Sequence, residues 1–454
     1  MRELRGNNKL QTLTPLPLEG VGGRSHQTVN MSIYLKNASY IDWQTLEIST
    51  KNIKVEEAID GKISFVSEIP SVQNSKVIDC RGKIVTKSFA CGHHHIYSAL
   101  ARGMNAPKKS PSNFYEILQY IWWTLDKCLT KEMIEASALT TAIACAKNGV
   151  TFVIDHHASP FAVEGSLETI AKAFDKVGVS HLLCYEITDR DGLDIAQKGL
   201  DETENYLKYS QGLVGLHASF TVGNETLVKS VKLAEKTNSG IHVHVAEDLY
   251  DQKHCMENYK KTAIERFHDV GALSFSKTIL GHCLHISDNE RKLIADSKAW
   301  VVQNSESNLN NNVGIFNSRN LGENIMLGTD GMHSDMLRSA KAAFFVGQMF
   351  DTVDYPGIYR RFRNVHKYIS ENNFKGDGDN NLVILDYDSP TQLHNGNFLG
   401  HFVFGFDSRH VKHVISNGKL IVENSEIKTV DEKEILKNST ELSKVLWNKM
   451  SSLH

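Results

Sequence analysis

Between residues 150 and 329 the chain runs through seven short apolar segments of strand type, most of them separated by longer stretches with helical spacing. The strand segments are VTFVID (150–155), SHLLCYEI (180–187), LVGLHASF (213–220), GIHVHVA (240–246), KTILGHC (277–283), AWVVQN (299–304) and NIMLGT (324–329). The helical stretches include TKEMIEASALTTAIACAKNG, SLETIAKAFDKVG, NETLVKSVKLAEKTN and SDNERKLIADSKA, several with Thr, Ser or Asn near the start, where a helix needs a cap. Strands that alternate with helices lie parallel, because a parallel pair cannot be joined by a tight turn. An eighth strand near CGHHHIY (91–97) completes a set that favours a closed (β/α)8 TIM barrel over an open doubly wound sheet.

The flanks read differently. Residues 31–84 are short and β-like, with a turn at Asp60–Gly61, and NNLVILDYDSP, LGHFVFGF and VKHVISNGKLIVEN bring strands back after about residue 380, with a hairpin turn at Asn417–Gly418. The expectation is an α/β chain with a barrel over 85–376 and a small β-sandwich built from both termini, 31–84 and 377–430. An amphipathic helix follows at 431–454. Residues 1–30 lack periodicity and an apolar h-region, so they read as a disordered leader or an upstream extension rather than a signal peptide.

Composition narrows the function. Fifty Lys and Arg nearly balance 53 Asp and Glu, so no global charge recruits nucleic acid or an acidic membrane surface. No run of eighteen apolar residues marks a membrane span. Seven scattered cysteines, an odd number without a CxxC pair, point to a reducing cytoplasm.

The chemistry lies in the histidines. Side chains alternate along a strand, so His93 and His95 of CGHHHIY can share a face while His94 points away. A second His-x-His, His242 and His244, sits on another strand pattern, with Glu247 three residues on. His282 ends the strand LGHC and Asp330 follows the last strand in LGTDG. In a barrel, catalytic groups come from the C-terminal ends of several strands. A set of imidazoles with a carboxylate suits Zn2+ or Fe2+ with an open position for water, which is the requirement of metal-assisted hydrolysis.

Together HHHIYSALARGM, IHVHVAED, LGHC and LGTDGMHSDM resemble the amidohydrolase superfamily, in its cytosine-deaminase and chlorohydrolase-like branch. IDHHASP, CYEITDRDG, GLHASFT, NSESNLNNNVG, RRFRNVHKYI and NNLVILDYDSPTQL resemble the aminohydrolases of the SsnA type. The resemblance implies that His93, His95, His244 and Asp330 bind one divalent ion, Zn2+ ahead of Fe2+. It further implies that Asp330 accepts a proton from the attacking water and that Glu247 protonates a ring nitrogen. His282 would polarise the water or stabilise the tetrahedral intermediate, and His217 of GLHASFT would face the substrate. Two-metal members carry a carboxylated lysine on the fourth strand; the stretch matched to it, HLLCYEI, has none, so a single ion is expected. The chain departs from the family in TKSFACG, where a Pro-Gly turn is usual, and in Gln303, Asn304 and Ser305 on the seventh strand.

Other residues carry plainer readings. His94 packs or hydrogen-bonds, and His242 is a barrel-core histidine. His156 is taken as a substrate contact against an equal structural reading shared with His157, and His285 and His333 as outer supports. Arg102 is a candidate for an anionic substrate group, with a rim salt bridge as its default. Trp122 and Trp123 read as core, and Cys91 and Cys283 as small buried hydrophobes. The leading function is an aminohydrolase releasing ammonia from an amidine-type carbon of a purine-, pyrimidine- or pterin-like heterocycle. Its rivals are a cyclic amide or imidazolone ring hydrolase, a chlorohydrolase, and a barrel that binds without turnover. Dimers are common among relatives, so a homodimer is expected.

Overall fold

The structure, a computed structural model of the chain, describes residues 32–71 and 75–453; the expected leader lies outside them. Five strands come first: β1 (Ser32–Ile41), β2 (Ile48–Val55), β3 (Ile63–Val66), β4 (Ser75–Asp79) and β5 (Ile84–Lys87). Eight more follow, interleaved with helices: β6 (Phe89–His94), β7 (Val150–Asp155), β8 (Ser180–Leu182), β9 (Val214–Ala218), β10 (Ile241–Val245), β11 (Ile279–His282), β12 (Trp300–Gln303) and β13 (Ile325–Leu327). The chain ends with β14 (Leu382–Leu385), β15 (Val411–Ser416), β16 (Lys419–Glu423), β17 (Glu426–Ile427) and a helix, Glu432–Ser452.

β6, β7 and β8 form one parallel sheet and β9 to β13 another. Isolated parallel bridges join the two. Leu183 pairs with Gly212 and Ile187 with Leu216 on one side, and His94 pairs with Asp330 on the other. At that second seam the peptide N–H groups of Thr329 and Asp330 both donate to the His93 carbonyl, at 3.1 Å each. Gly92 and Gly328 make this approach possible. A Cβ on Gly92 would lie 2.8 Å from the Leu327 carbonyl oxygen, and one on Gly328 would lie 2.8 Å from His93 Cβ.

β1, β2, β3, β5 and β14 to β17 align in one sheet, with β4 paired to β1, so strands from both ends of the chain share hydrogen bonds. The link between the two ends is β5 against β14, antiparallel. This sheet has its own core, including Leu35, Ile53, Val85 and Ile384. Asn417 and Gly418 both take positive φ (48° and 77°), the geometry that two-residue hairpins require, and they join β15 to β16 as the Asn-Gly pair suggests.

One C-terminal expectation is overturned. LGHFVFGF is a helix, Phe398–Phe404, and not a strand. Phe398 and Phe402 are buried one helical turn apart while Phe404 is exposed, and both buried rings lie against Tyr359 at 5.5 and 5.1 Å. The spacing four residues apart was present in the sequence; the dense apolar content hid it behind a strand-like run.

The terminal helix packs on the helix Lys131–Lys147, where Lys147 pairs with Glu432 at 2.7 Å, and Trp447 donates its indole N–H to the Leu100 carbonyl. It therefore supports the turn that follows β6 from outside. Among the described residues no helix is long and apolar enough to cross a membrane, and all seven cysteines are free and buried.

Candidate metal centre

The ends of β6, β10, β11 and β13 bring His93, His95, His244, His282 and Asp330 into one buried cluster, at the ends from which the chain enters its helices. His244 Nε2 lies 3.1 Å from His95 Nε2 and 3.3 Å from His93 Nε2. Asp330 Oδ1 lies 3.1 Å from His95 Nε2 and 3.5 Å from His93 Nε2.

The partners of the other ring nitrogens decide what these short distances mean. His95 Nδ1–H donates to the His156 carbonyl and His244 Nδ1–H to the His217 carbonyl, both at 2.7 Å. A carbonyl can only accept, so each Nδ1 carries a proton and each Nε2 is the nitrogen left to face the cluster. His93 Nδ1 lies 2.9 Å from His242 Nε2, and His242 Nδ1 in turn reaches Cys184 Sγ at 3.6 Å. Three ring nitrogens and a carboxylate thus converge on one point. Ligands at about 2.0–2.1 Å from a tetrahedral ion stand ~3.3 Å from one another, and the observed spacings are of that size. Three imidazole nitrogens and a carboxylate at these spacings are a donor set that fits a divalent ion.

Charge agrees. Burial pushes His93 down to about 3 and takes His244 well below its usual value, so both are neutral. Burial also opposes a proton on His95, but the hydrogen bond and charge of Asp330 prevail and raise it to about 9, so near neutrality its Nε2 holds a second proton toward Asp330, which a bound cation would displace. The cluster draws positive charge into a buried site.

Beyond these four groups, His282 Nδ1 lies 2.7 Å from Asn308 Oδ1. Donation to that oxygen leaves His282 Nε2 free, 3.5 Å from Glu247 Oε2 and 3.8 Å from Asp330 Oδ2. Burial pushes the Glu247 carboxyl up to about 7, with His282 opposing the shift and Asp330 adding to it. The turns that aim these groups are strained. Ala246, His282, Cys283 and Asp330 all have φ between 48° and 69°, a left-handed region costly for residues with a Cβ.

A cavity of about 490 Å³ opens over the cluster, and His217, Glu247, His282, Asp330 and Arg102 all line it. Arg102 is exposed at its mouth and makes no ion pair among the described residues, so the rim salt bridge is not formed. His156 is elsewhere. It is fully buried, with Nε2 3.1 Å from the Leu216 and His242 carbonyls and Nδ1 3.1 Å from Glu186 Oε2. It stands behind the cavity wall and supports it, which corrects its reading as a substrate contact. Trp122 and Trp123 pack, partly buried, against hydrophobic clusters as expected, and they also line the cavity. They lie where a π-helical turn, Leu118–Trp122, meets the helix Trp123–Cys128, and the wider turn shifts which side chains face inward.

Two wall residues escaped the sequence reading, Glu186 and Arg190. Both belong to CYEITDRDG, which was quoted only for resemblance. HLLCYEI is also the third strand of the parallel series, not the fourth; the fourth, β9, is VGLHA and has no lysine either. His94 turns away from the ion cluster to Ser334 Oγ at 2.8 Å, and His333 meets Glu306.

The model of the amidohydrolase family matches residues 84–361. The chain belongs to the amidohydrolase family. This amidohydrolase is 25% identical over 442 residues to a 5-methylthioadenosine/S-adenosylhomocysteine deaminase of Thermoanaerobacter pseudethanolicus, covering 92% of this chain and 99% of that one. It is 26% identical over 425 residues to a 5'-deoxyadenosine deaminase of Methanocaldococcus jannaschii, covering 86% and 96%. Its fold matches that of a zinc-bound adenosine deaminase from Xanthomonas campestris with a TM-score of 0.78 at 15% identity, over 92% of this chain and 98% of that one. Guanine deaminase of E. coli matches with a TM-score of 0.71 at 16% identity, over 86% and 99%.

Proposed function

We propose that this amidohydrolase is a deaminase that replaces the exocyclic amine of a nitrogen heterocycle, a purine base or nucleoside foremost, with oxygen and releases ammonia. The observation that carries the reading is the meeting, at one cavity, of three inward-facing imidazole nitrogens, the Asp330 carboxylate and the Glu247 carboxyl. The deaminases among its relatives support it.

In this reading His93, His95, His244 and Asp330 hold one divalent ion, with zinc ahead of iron(II). Zinc accepts three imidazoles and a carboxylate without a geometric demand of its own. The ion, when bound, acidifies water so that hydroxide is available near neutral pH. Asp330 takes the proton of the attacking water. Glu247, still protonated near neutrality, donates to the ring nitrogen beside the attacked carbon, which becomes tetrahedral. His282, with Nε2 between Glu247 and Asp330, holds the attacking oxygen, and proton transfer to the exocyclic nitrogen lets ammonia leave. His217 and Arg102 contact the substrate away from the reacting carbon.

The remaining architecture follows the same reading. The two parallel sheets, bridged at both seams, close into a (β/α)8 barrel over 85–376, and 31–84 with 377–430 form a β-sandwich beside it. The free cysteines suit a reducing cytoplasm, and a homodimer is the assembly expected by analogy with relatives.

Ammonia release from a panel of aminated purines, pyrimidines and pterins tests the assignment. Glu247→Gln, which keeps the shape but loses the acid, should lower kcat by about 10²–10⁴-fold. Full activity in that variant would remove Glu247 from the mechanism. A product that retains its exocyclic nitrogen would favour ring opening.

A further inference from the structure

Two motifs supply none of the four candidate ligands, IDHHASP and CYEITDRDG, yet the fold joins them. His156 follows β7, and Glu186 and Arg190 lie beyond β8. They meet behind and on one wall of the cavity. Glu186 is buried, but its side chain lines the cavity. Its two oxygens differ. Oε2 lies 3.1 Å from His156 Nδ1. Oε1 makes no hydrogen bond among the described residues and has only longer contacts, 3.6 Å to His217 Nε2 and 3.7 Å to Arg190 Nη1.

The surroundings keep this carboxylate charged and still. Arg190 is anchored by Asp126 and by Asp191 at 3.0 Å, and its guanidinium lies 5.0 Å from the Trp123 ring. His156 is fixed by two carbonyls behind it. Burial disfavours the charge on Glu186, but His217, His156 and Arg190 outweigh it and hold the carboxyl below the usual carboxylate range. The carboxylate is also close to the reaction. Glu186, His217 and His244 offer ligand atoms within 4.8 Å of one another. An ionised oxygen with spare acceptor capacity, aimed into a substrate cavity, calls for a donor.

We propose that Glu186 is a specificity-determining residue: its Oε1 accepts a hydrogen bond from an N–H or hydroxyl of the substrate remote from the carbon that loses its amine. The inference rests on the deaminase reading. The donor has two sources, the ring N–H of a free base or the sugar hydroxyls of a nucleoside. His156 and Arg190 are positioning residues that act through Glu186.

The test is the ratio of kcat/KM within matched pairs that differ only in the donor: adenine with 9-methyladenine, guanine with 9-methylguanine, and adenosine with 2',3'-dideoxyadenosine. Wild type and Glu186→Gln are compared at full metal content, and Glu186→Asp is used if the Gln variant does not fold. Within one variant, partial destabilisation cancels from the ratio. Loss of a hydrogen bond to a charged acceptor predicts a ~10–100-fold fall in the donor-bearing to donor-lacking ratio, chiefly through KM. A fall confined to free bases assigns the ring N–H, and one confined to nucleosides assigns the hydroxyls. An unchanged ratio, with or without a general loss of activity, overturns the role of Glu186 while the deaminase reading stands. Wild-type inactivity on these pairs and on the full panel overturns both.

Discussion

At the residue scale, proton positions are dictated by what each imidazole can give away. His95 and His244 spend their Nδ1 protons on backbone carbonyls, so their Nε2 atoms are the ones turned toward the cluster. His93 differs, because its Nδ1 partner is a second imidazole, His242, and not the backbone. Its orientation therefore depends on a side chain. Replacing His242 with Phe removes the acceptor, and the affinity for Zn2+ should fall about 10–100-fold, measured by chelator competition; His242→Gln, which can still accept, should recover part of it. Glu247 supplies a pH dependence. Its carboxyl, raised to about 7, must be protonated to act as the acid. The acid form is present below that value and lost above it, so kcat/KM should decline on an alkaline limb beginning near pH 7. In Glu247→Gln that limb should vanish with the activity it reports; an unchanged limb would assign it to another group. The histidines of the cluster were legible because His-x-His on a strand leaves few structures open. Glu186 was not, since one glutamate past a strand carries no spacing signal until the fold places it beside His156 and His217.

Among the elements, strand ends do the aiming and close seams hold them in place. His93 on β6 faces Gly328 just beyond β13, and the N–H groups after Gly328 bind the His93 carbonyl. A Cβ on Gly328 would lie 2.4 Å from Asn304 Oδ1 and 2.8 Å from His93 Cβ, so β13 would have to move away from β6. Gly328→Ala should cost about 1–3 kcal/mol of stability, read by chemical denaturation, and should weaken metal binding as well. Loss of neither would show that the seam is slack. The strands were readable as apolar runs between capped helices, such as that opened by Thr130 and the one boxed by Ser287 and Glu290. The segment Phe398–Phe404 was misread because dense aromatic content satisfies strand and helix patterns alike. That Trp122 and Trp123 also line the cavity was not legible, because a π-turn breaks the 3.6-residue period there.

For the whole molecule, the parallel strands place the chemistry at one end, and the sheet made from both termini ties the chain together at β5 and β14. The terminal helix adds a brace on Lys131–Lys147 and on the turn after β6. The pairing of distant ends was suggested by β-rich flanks on both sides of the helical region, while the strand order within that sheet depends on contacts that no local pattern encodes. In the proposed reading, one divalent ion, held by His93, His95, His244 and Asp330, is required for deamination. The most direct measurement is titration of metal-stripped protein with Zn2+ while ammonia release is followed on a substrate identified from the panel. Activity should be absent at the start, rise in proportion to added metal and level off at one equivalent per chain. Turnover by the stripped protein, or a plateau that requires two equivalents, would contradict the account.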